Sequence, residues 1–179
     1  MKLIFLDHDG VICLAENWGS RFKKPGYTSD PADPLDVRMD NFNQKAIDVL
    51  NKILEETDAE IVISSDWKLH STLEQMQEMY RVRGIKKVPI SMTQRLSDFD
   101  SESAAFFQWK GMLEACRILE IEKWIADHSE ITHWVAVDDL NMSPEYNRGH
   151  GLSNFVLTPR VNEGIKQIGI KQKIVSFLK

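Results

Sequence analysis

Cysteine is scarce in this sequence, which contains only Cys13 and Cys116 among its 179 residues. The two positions lie far apart and have none of the close spacings that disulfide frameworks or zinc ligands require. This scarcity argues against a disulfide-stapled secreted scaffold and against a cysteine-based zinc site. It fits a reducing compartment, so we expect a cytoplasmic protein.

Excess positive charge and long apolar runs are also missing. The formal net charge is −5, so the chain has no overall basic field and any contact with nucleic acid must be local. The first apolar run ends at Asp7 and is too short and too charged for a signal peptide, and no later run approaches a membrane span. We therefore expect no membrane association, while small phosphorylated molecules, nucleotides and nucleic-acid ends remain open as partners.

The most informative feature present is an apolar run that ends at Asp7 and is followed by Asp9 and Gly10. Residues 3–6 are typical of a central strand in a parallel sheet, and such sheets bind ligands at the carboxyl ends of their strands. Two carboxylates this close repel each other and raise each other's pKa, so a bound cation favours the ionised pair. The motif therefore indicates a cation site.

Two plainer interpretations of this motif are a polar strand-to-loop turn and an EF-hand calcium loop. Counted from Asp7, an EF-hand requires glycine at the sixth position and glutamate at the twelfth, where this chain has Ile12 and Trp18. The EF-hand is thereby excluded. The polar turn stays open on this motif alone, because a single Asp-x-Asp-Gly has little specificity.

Strand and helix patterns alternate along the rest of the chain. We predict strands over residues 3–6, 59–63, 87–90, 133–137 and 154–157, and helices over residues 43–56, after a capping box at Ser71 and Glu74, over residues 117–127 and from about residue 162. Residues 91–112 have no clear period. The alternation predicts a doubly wound, Rossmann-like α/β fold with a parallel sheet. We expect one domain over residues 1–179, with a proline-rich flap or small lid at about 13–41.

Three of the predicted strands end in polar residues that suit a phosphate or metal site, and these are Asp7 with Asp9, Ser64 with Ser65, and Asp138 with Asp139. Because the carboxyl ends of parallel strands meet at one edge of the sheet, we expect these side chains to lie close together. This conjunction is far more specific than any one of its members.

With these motifs the sequence resembles the haloacid dehalogenase (HAD) superfamily of aspartate-dependent phosphohydrolases. The closer resemblance is to the HAD domains of RNA-repair "Swiss Army knife" proteins and of phage proteins. The stretches that carry it are Asp7–Val11, Ile61–Lys68, Arg117–Ile125, Trp134–Asp139 and Phe155–Thr158. The resemblance implies a HAD-like fold and a magnesium-dependent phosphatase, without a large cap domain because residues 13–41 can supply only a flap.

The resemblance implies a role for each acidic residue of the motifs. Asp7 would attack phosphorus and form an aspartyl-phosphate, and Asp9 would act as general acid and then general base. Asp7, the backbone carbonyl of Asp9, Asp138 and Asp139 would bind Mg²⁺, whose charge offsets the repulsion between a carboxylate and a phosphate. The family motifs thus account for both strand ends that carry paired carboxylates.

Four further residues would bind the phosphate, namely Gly10, Ser64, Ser65 and Arg117. Two of these assignments have alternatives. Ser65 or Asp66 could instead cap the following helix, and either Ser64 or Ser65 could be the phosphate ligand. Arg117 could be a solvated helix residue paired with Glu120, and the other candidates for the cation are then Lys68, Lys110 and Lys123.

The substrate expectation rests on the predicted flap and on the subfamily resemblance. An open site suits large substrates, and the flap interleaves aromatic with basic side chains, namely Trp18, Phe22 and Tyr27 with Arg21, Lys23 and Lys24. We therefore expect nucleic-acid end phosphates or nucleotides as substrates. A small-metabolite phosphatase and a non-catalytic phosphate- or nucleic-acid-binding module are the alternatives, and the presence of both Asp7 and Asp9 argues against the second.

Overall fold

A computed structural model of the protein describes residues 1–14, 42–160 and 162–179. Five parallel strands form one sheet in the order β3-β2-β1-β4-β5. Their bounds are Lys2–Leu6 for β1, Glu60–Ile63 for β2, Ser91–Met92 for β3, His133–Asp138 for β4 and Phe155–Leu157 for β5. The predicted parallel α/β fold is confirmed.

Six α-helices connect and cover these strands in the described part of the chain. They are α1 at Gln44–Thr57, α2 at Leu73–Val82, α3 at Leu96–Phe99, α4 at Ser101–Lys110, α5 at Leu113–Ala126 and α6 at Ile170–Phe177. Two single 3₁₀ turns lie at Asp66–Leu69 and Gly164–Lys166. Helices α3 and α4 occupy the segment that had no clear period in the sequence.

Side-chain alternation along the strands gives the sheet two buried faces. On one face Ile4 and Leu6 pack in a cluster with apolar residues of α1, α2 and α6. On the other face Leu3 and Phe5 pack with residues of α5. Helices therefore cover both faces, as the doubly wound prediction requires. Helix α5, which covers the Leu3 and Phe5 face, also contacts the carboxyl end of β1.

The start of α2 differs from its prediction. The capping box forms between Thr72 and Gln75, one residue after the predicted pair. The hydroxyl of Ser71 instead donates a hydrogen bond to the backbone carbonyl of Trp67 at 2.8 Å and closes the preceding 3₁₀ turn. Ser71 is thus used by the turn, and the helix begins after it.

Three other boundaries were predicted wrongly, and one of them is the start of α5, which lies at Leu113 and not at residue 117. The third strand is Ser91–Met92 and not residues 87–90, because Pro89 has no backbone N–H to donate to a ladder. The last helix begins at Ile170 and not near residue 162. Gly169 is its N-cap residue with a φ of 89°, a left-handed conformation that redirects the chain into α6.

Of the predicted flap, only residues 13 and 14 fall within the described ranges, and both are buried. The rest of that prediction, residues 15–41, lies outside the described residues. The ranges that the structure describes contain no large cap domain. No helix in them is long and apolar enough to cross a membrane.

Candidate active site

On one face of the sheet, a row of polar side chains lies next to the buried core, at the carboxyl ends of the strands. In the strand register Phe5 is aligned with both Val62 and Ala136, and all three belong to the cluster that α5 covers. Two positions further along these strands, and therefore on the same face, stand Asp7, Ser64 and Asp138. The register continues to this row, since the backbone N–H of Asp7 donates to Val137 and that of Ser64 donates to Leu6, each at 3.0 Å.

An acidic cluster forms where β1 and β4 end. Asp7, Asp138 and Asp139 each bring one carboxylate oxygen to within 4.8 Å of the others. Burial raises the pKa of Asp7, and burial together with the charge of Asp7 raises the pKa of Asp138 well above its ordinary range. The same two causes raise the pKa of Asp139 to about 6. Three carboxylates whose negative charges repel one another offer the hard oxygen ligands that suit a divalent cation.

Arg117 reaches this cluster from helix α5. Its Nη1 donates to Asp7 Oδ1 at 3.1 Å and to Asp138 Oδ2 at 3.0 Å, and it also contacts the carbonyl of Ser64. Its Nη2 donates to Asp66 Oδ1 at 2.9 Å. Burial alone would lower the pKa of Arg117, but the nearby Asp138 and Asp7 carboxylates raise it above its ordinary value. The guanidinium therefore stays charged within the site.

The other candidate cations have different partners. Lys68 forms a buried ion pair with Glu120, and its Nζ lies 2.9 Å from Thr93 Oγ1. Lys110 lies over the exposed Trp109 ring, 4.2 Å from its centroid, and Lys123 pairs with Asp127 on the same helix. Geometry therefore favours Arg117 over the three lysines as the cation next to Asp7.

Ser64 and Ser65 are both buried beside Asp7, with different surroundings. The Ser65 hydroxyl accepts a hydrogen bond from the backbone N–H of Trp67 at 3.5 Å, which caps the turn Asp66–Leu69. A hydrogen bond from the same hydroxyl also stabilises the ionised form of Asp7 and so opposes the rise of its pKa. The Ser64 hydroxyl is fully buried and has no hydrogen-bond partner among the described residues. Buried hydroxyls seldom lack a partner, so Ser64 is suited to an incoming ligand.

Gly10 and Thr158 shape the loop that follows Asp9. Gly10 has a φ of 74°, and a Cβ at this position would collide with the side chain of Asp139. Thr158, at the end of β5, donates a hydrogen bond from Oγ1 to the Gly10 carbonyl at 3.1 Å. The loop and the acidic cluster therefore contact each other where no side chain could fit.

Asp9 is not part of the acidic cluster through its carboxylate. Its Oδ2 accepts a hydrogen bond from Trp67 Nε1 at 3.0 Å. His8 points to the opposite face, as the strand alternation predicts, where Nε2 lies 2.9 Å from the hydroxyl of Tyr80. His8 also stacks on the ring of Trp67. His8 and Asp9, which are neighbours in the first motif, therefore both contact Trp67.

Sequence reasoning missed two contacts of this site. Asp66 was considered only as a helix cap, and Trp67 was quoted only as part of the family resemblance, although each contacts a motif residue. The signal available was their position directly after Ser64 and Ser65 at the end of a strand. The predicted substrate contacts of the flap, from Trp18 to Tyr27, lie outside the described residues.

Residues 3–167 match the family model described as the HAD domain in Swiss Army Knife RNA repair proteins. No curated protein and no solved structure matches the chain significantly. The matched range includes the acidic cluster, both serines and Arg117. The family match therefore covers the sheet edge that the geometry singles out.

Proposed function

The chain belongs to the family of HAD domains found in Swiss Army Knife RNA repair proteins, and from this premise we propose that it is a magnesium-dependent phosphatase. One observation carries the proposal: the carboxylate oxygens of Asp7, Asp138 and Asp139 lie within 4.8 Å of one another, and the Arg117 guanidinium donates to two of them. Phosphoryl transfer needs mainly this combination of a nucleophile and fixed electrostatic partners.

In the proposed reaction Asp7 attacks the phosphorus of a phosphate monoester. The bond from its carboxylate oxygen to phosphorus forms as the bond to the leaving oxygen breaks, and Asp9 gives that oxygen a proton. Asp9 then removes a proton from water as the water attacks phosphorus. This second step releases inorganic phosphate and restores the Asp7 carboxylate, so both residues end the cycle as they began it.

The phosphate oxygens would be held by Ser64, Ser65 and Arg117, with Gly10 leaving room for them. Ser64 is suited to phosphate binding because its buried hydroxyl has no hydrogen-bond partner among the described residues. Arg117 is suited to it because its buried guanidinium stays positively charged. Asp7, Asp138 and Asp139, with the backbone carbonyl of Asp9, would hold Mg²⁺. Bound there, the ion would offset the negative charge shared by the carboxylates and the phosphate.

For substrates we propose phosphorylated nucleic-acid ends or nucleotides. The support is the description of the matched family, whose members are domains of RNA repair proteins. A phosphatase of small metabolites is the second candidate, because the acidic cluster and Arg117 contact only the phosphate in either case. A binding module without catalysis would have no use for a carboxylate nucleophile in the position of Asp7.

Hydrolysis of an aryl phosphate with and without Mg²⁺ tests the proposal. We expect phosphate release that EDTA abolishes and added Mg²⁺ restores, and that is lost in Asp7→Asn. A panel of nucleotides, sugar phosphates and end-phosphorylated oligonucleotides then separates the substrate classes. Binding of oligonucleotides without any phosphate release, under conditions in which the protein is folded and Mg²⁺ is bound, would favour the binding module instead.

A further inference from the structure

A pocket of about 280 Å³ opens beside Arg117. The turn Asp66–Leu69 and helices α3, α4 and α5 enclose it. Arg117 and Asp66 line this pocket and also belong to the candidate active site. A group attached to a phosphate beside Asp7 can therefore extend into the pocket without leaving the site.

The charged side chains around the pocket leave one positive charge in surplus. Lys68 pairs with Glu120 and Asp66 pairs with Arg117, so these charges already have partners. Arg95 lines the same pocket and is exposed, and within the described ranges no carboxylate forms an ion pair with it. The pocket is consequently suited to a ligand with a negative charge at some distance from the reacting phosphate.

The rest of the wall is mixed in character. Apolar side chains of Leu69, Leu96, Ala104 and Leu113 line the pocket together with the amide of Gln108. Ligand sites commonly combine apolar walls with a few polar groups that fix orientation, and this volume lies just below their usual range. A heterocyclic base fits such a wall, since its faces are apolar and its edges form hydrogen bonds.

We propose that this pocket binds the terminal nucleoside of a phosphorylated nucleic-acid end, and that Arg95 contacts the next backbone phosphate. This inference rests on the proposed function. In a strand the next phosphate lies one nucleoside away from the terminal one, whereas a simple metabolite phosphate has no second anion there. The proposal therefore distinguishes a strand end from a mononucleotide, and Arg95 is the residue that makes the distinction.

The test compares two substrates that share a terminal nucleoside. A phosphorylated dinucleotide has the second phosphate, and the matching nucleoside monophosphate lacks it. We expect the parent protein to prefer the dinucleotide in kcat/KM, and Arg95→Ala to lower that preference about tenfold, which is the usual effect of losing one charge-assisted contact. Lys110→Ala is the matched control, because this cation lies over the Trp109 ring outside the pocket, and it should keep the parent's preference.

Calorimetric binding of the same two compounds separates this inference from the proposed function. If the protein hydrolyses both compounds and Arg95→Ala keeps the parent's preference, the pocket assignment is overturned while the phosphatase stands. If no phosphate is released but the dinucleotide binds more tightly and Arg95→Ala removes the difference, the phosphatase fails and the pocket stands. Leu113→Trp gives a second variant, since a larger side chain in the wall should raise KM for both compounds.

A second inference rests on a different contact, between Trp67 and Asp9. The indole Nε1 donates to Asp9 Oδ2 at 3.0 Å across 58 residues of sequence. Trp67 is fully buried, stacks on His8 with ring centres 4.5 Å apart and meets the Phe42 ring edge-on at 5.4 Å. Its ring is therefore fixed in direction, and an indole N–H can only donate.

We infer that Trp67 is the positioning residue for the proposed acid and base, Asp9. Trp67 does not touch the reacting atoms, and it acts by holding the Asp9 carboxylate in one orientation. This role also rests on the proposed function. An Asp9 carboxyl group that loses this fixed orientation should deliver its proton to the leaving oxygen less efficiently, and the loss should be greatest where that oxygen most needs protonation.

Trp67→Phe removes the N–H and keeps an aromatic ring. We expect kcat/KM, which reports the step in which the leaving group departs, to fall about tenfold for alkyl phosphates and much less for activated aryl phosphates. The control is Trp124→Phe, which removes an indole N–H bonded to Ser91 Oγ at 3.1 Å, away from the site. It should leave the leaving-group dependence as in the parent.

Replacing the Trp67 indole by a benzothiophene analogue keeps the shape of the ring and serves if Trp67→Phe folds poorly. A folded variant of either kind whose losses are equal for alkyl and aryl phosphates would overturn the positioning role. A parent protein that hydrolyses neither class of substrate would instead count against the proposed function.

Discussion

Nη1 of Arg117 lies 3.0 Å from Oδ2 of Asp138, which joins helix α5 to the end of β4. The same nitrogen contacts Asp7 at the end of β1. Both carboxylates are buried, so their charges depend on this guanidinium for compensation. Arg117 therefore belongs both to the stability of the sheet edge and to the electrostatics of the site.

Arg117→Ala is expected to lower the free energy of unfolding by about 3 kcal/mol, because removing one partner of a buried ion pair leaves the other without compensation. Denaturant unfolding of the variant and the parent protein measures this loss. Arg81→Ala is the control, since Arg81 forms an exposed ion pair with Glu78, and such pairs contribute about 0.5 kcal/mol. Equal losses in the two variants would contradict the structural role of Arg117.

Gly10→Ala should be much more destabilising than Gly84→Ala. Both glycines have a φ of 74°, so both substitutions carry the cost of about 1 kcal/mol for a left-handed residue. At Gly84 a Cβ meets nothing within 4 Å, whereas at Gly10 it collides with Asp139. Overpacking should add roughly 1 to 3 kcal/mol at Gly10 alone. Unfolding curves of the two variants give the comparison, and similar losses would argue against the close approach of Gly10 to Asp139.

Magnesium should raise the melting temperature of the parent protein, because a ligand that binds only the folded state stabilises it. Asp139→Asn should weaken this response, since it removes a charge from the acidic cluster. Asp58→Asn removes an almost fully exposed carboxylate elsewhere and should respond to Mg²⁺ as the parent does. A parent protein whose melting temperature is unaffected by millimolar Mg²⁺ would speak against the metal site.

The Tyr80 phenol should make the protein less stable at alkaline pH. Burial raises its pKa well above the ordinary value of 10.0, so above about pH 10 the unfolded chain loses a proton that the folded chain keeps. Its contribution is therefore complete below about pH 10 and declines as the pH rises. The stability difference between the parent and Tyr80→Phe should stay constant up to about pH 10 and shrink as the pH rises above that value. Tyr146→Phe, at an exposed position, should show no such trend, and a constant difference for Tyr80→Phe would refute the prediction.

Much of the sheet edge could be predicted from the sequence because it follows from short-range rules. Apolar runs of strand length end at Asp7, Ser64 and Asp138, and parallel pairing brings such ends together. The boundaries that failed also have local causes. Pro89 cannot join a ladder, and Gly169 turns the chain before α6.

The contacts of Trp67 with Asp9 and of Lys68 with Glu120 could not be predicted in this way. Each joins side chains more than fifty residues apart, and such pairs depend on how helices and turns pack against the sheet. Periodicity describes one element at a time. Sequence periodicity therefore located the residues of the site, but it did not identify the side chains that hold those residues in position.

Chemical trapping of the phosphorylated protein can establish whether Asp7 is the nucleophile, as we propose. The protein is mixed with a substrate that carries a radioactive phosphoryl group and Mg²⁺, quenched in acid within one turnover and digested. We expect a labelled peptide that contains Asp7, whose label hydroxylamine releases, and no label in Asp7→Asn. Label on another residue, or a folded Asp7→Asn protein that turns over at the parent's rate, would rule out Asp7 as the nucleophile.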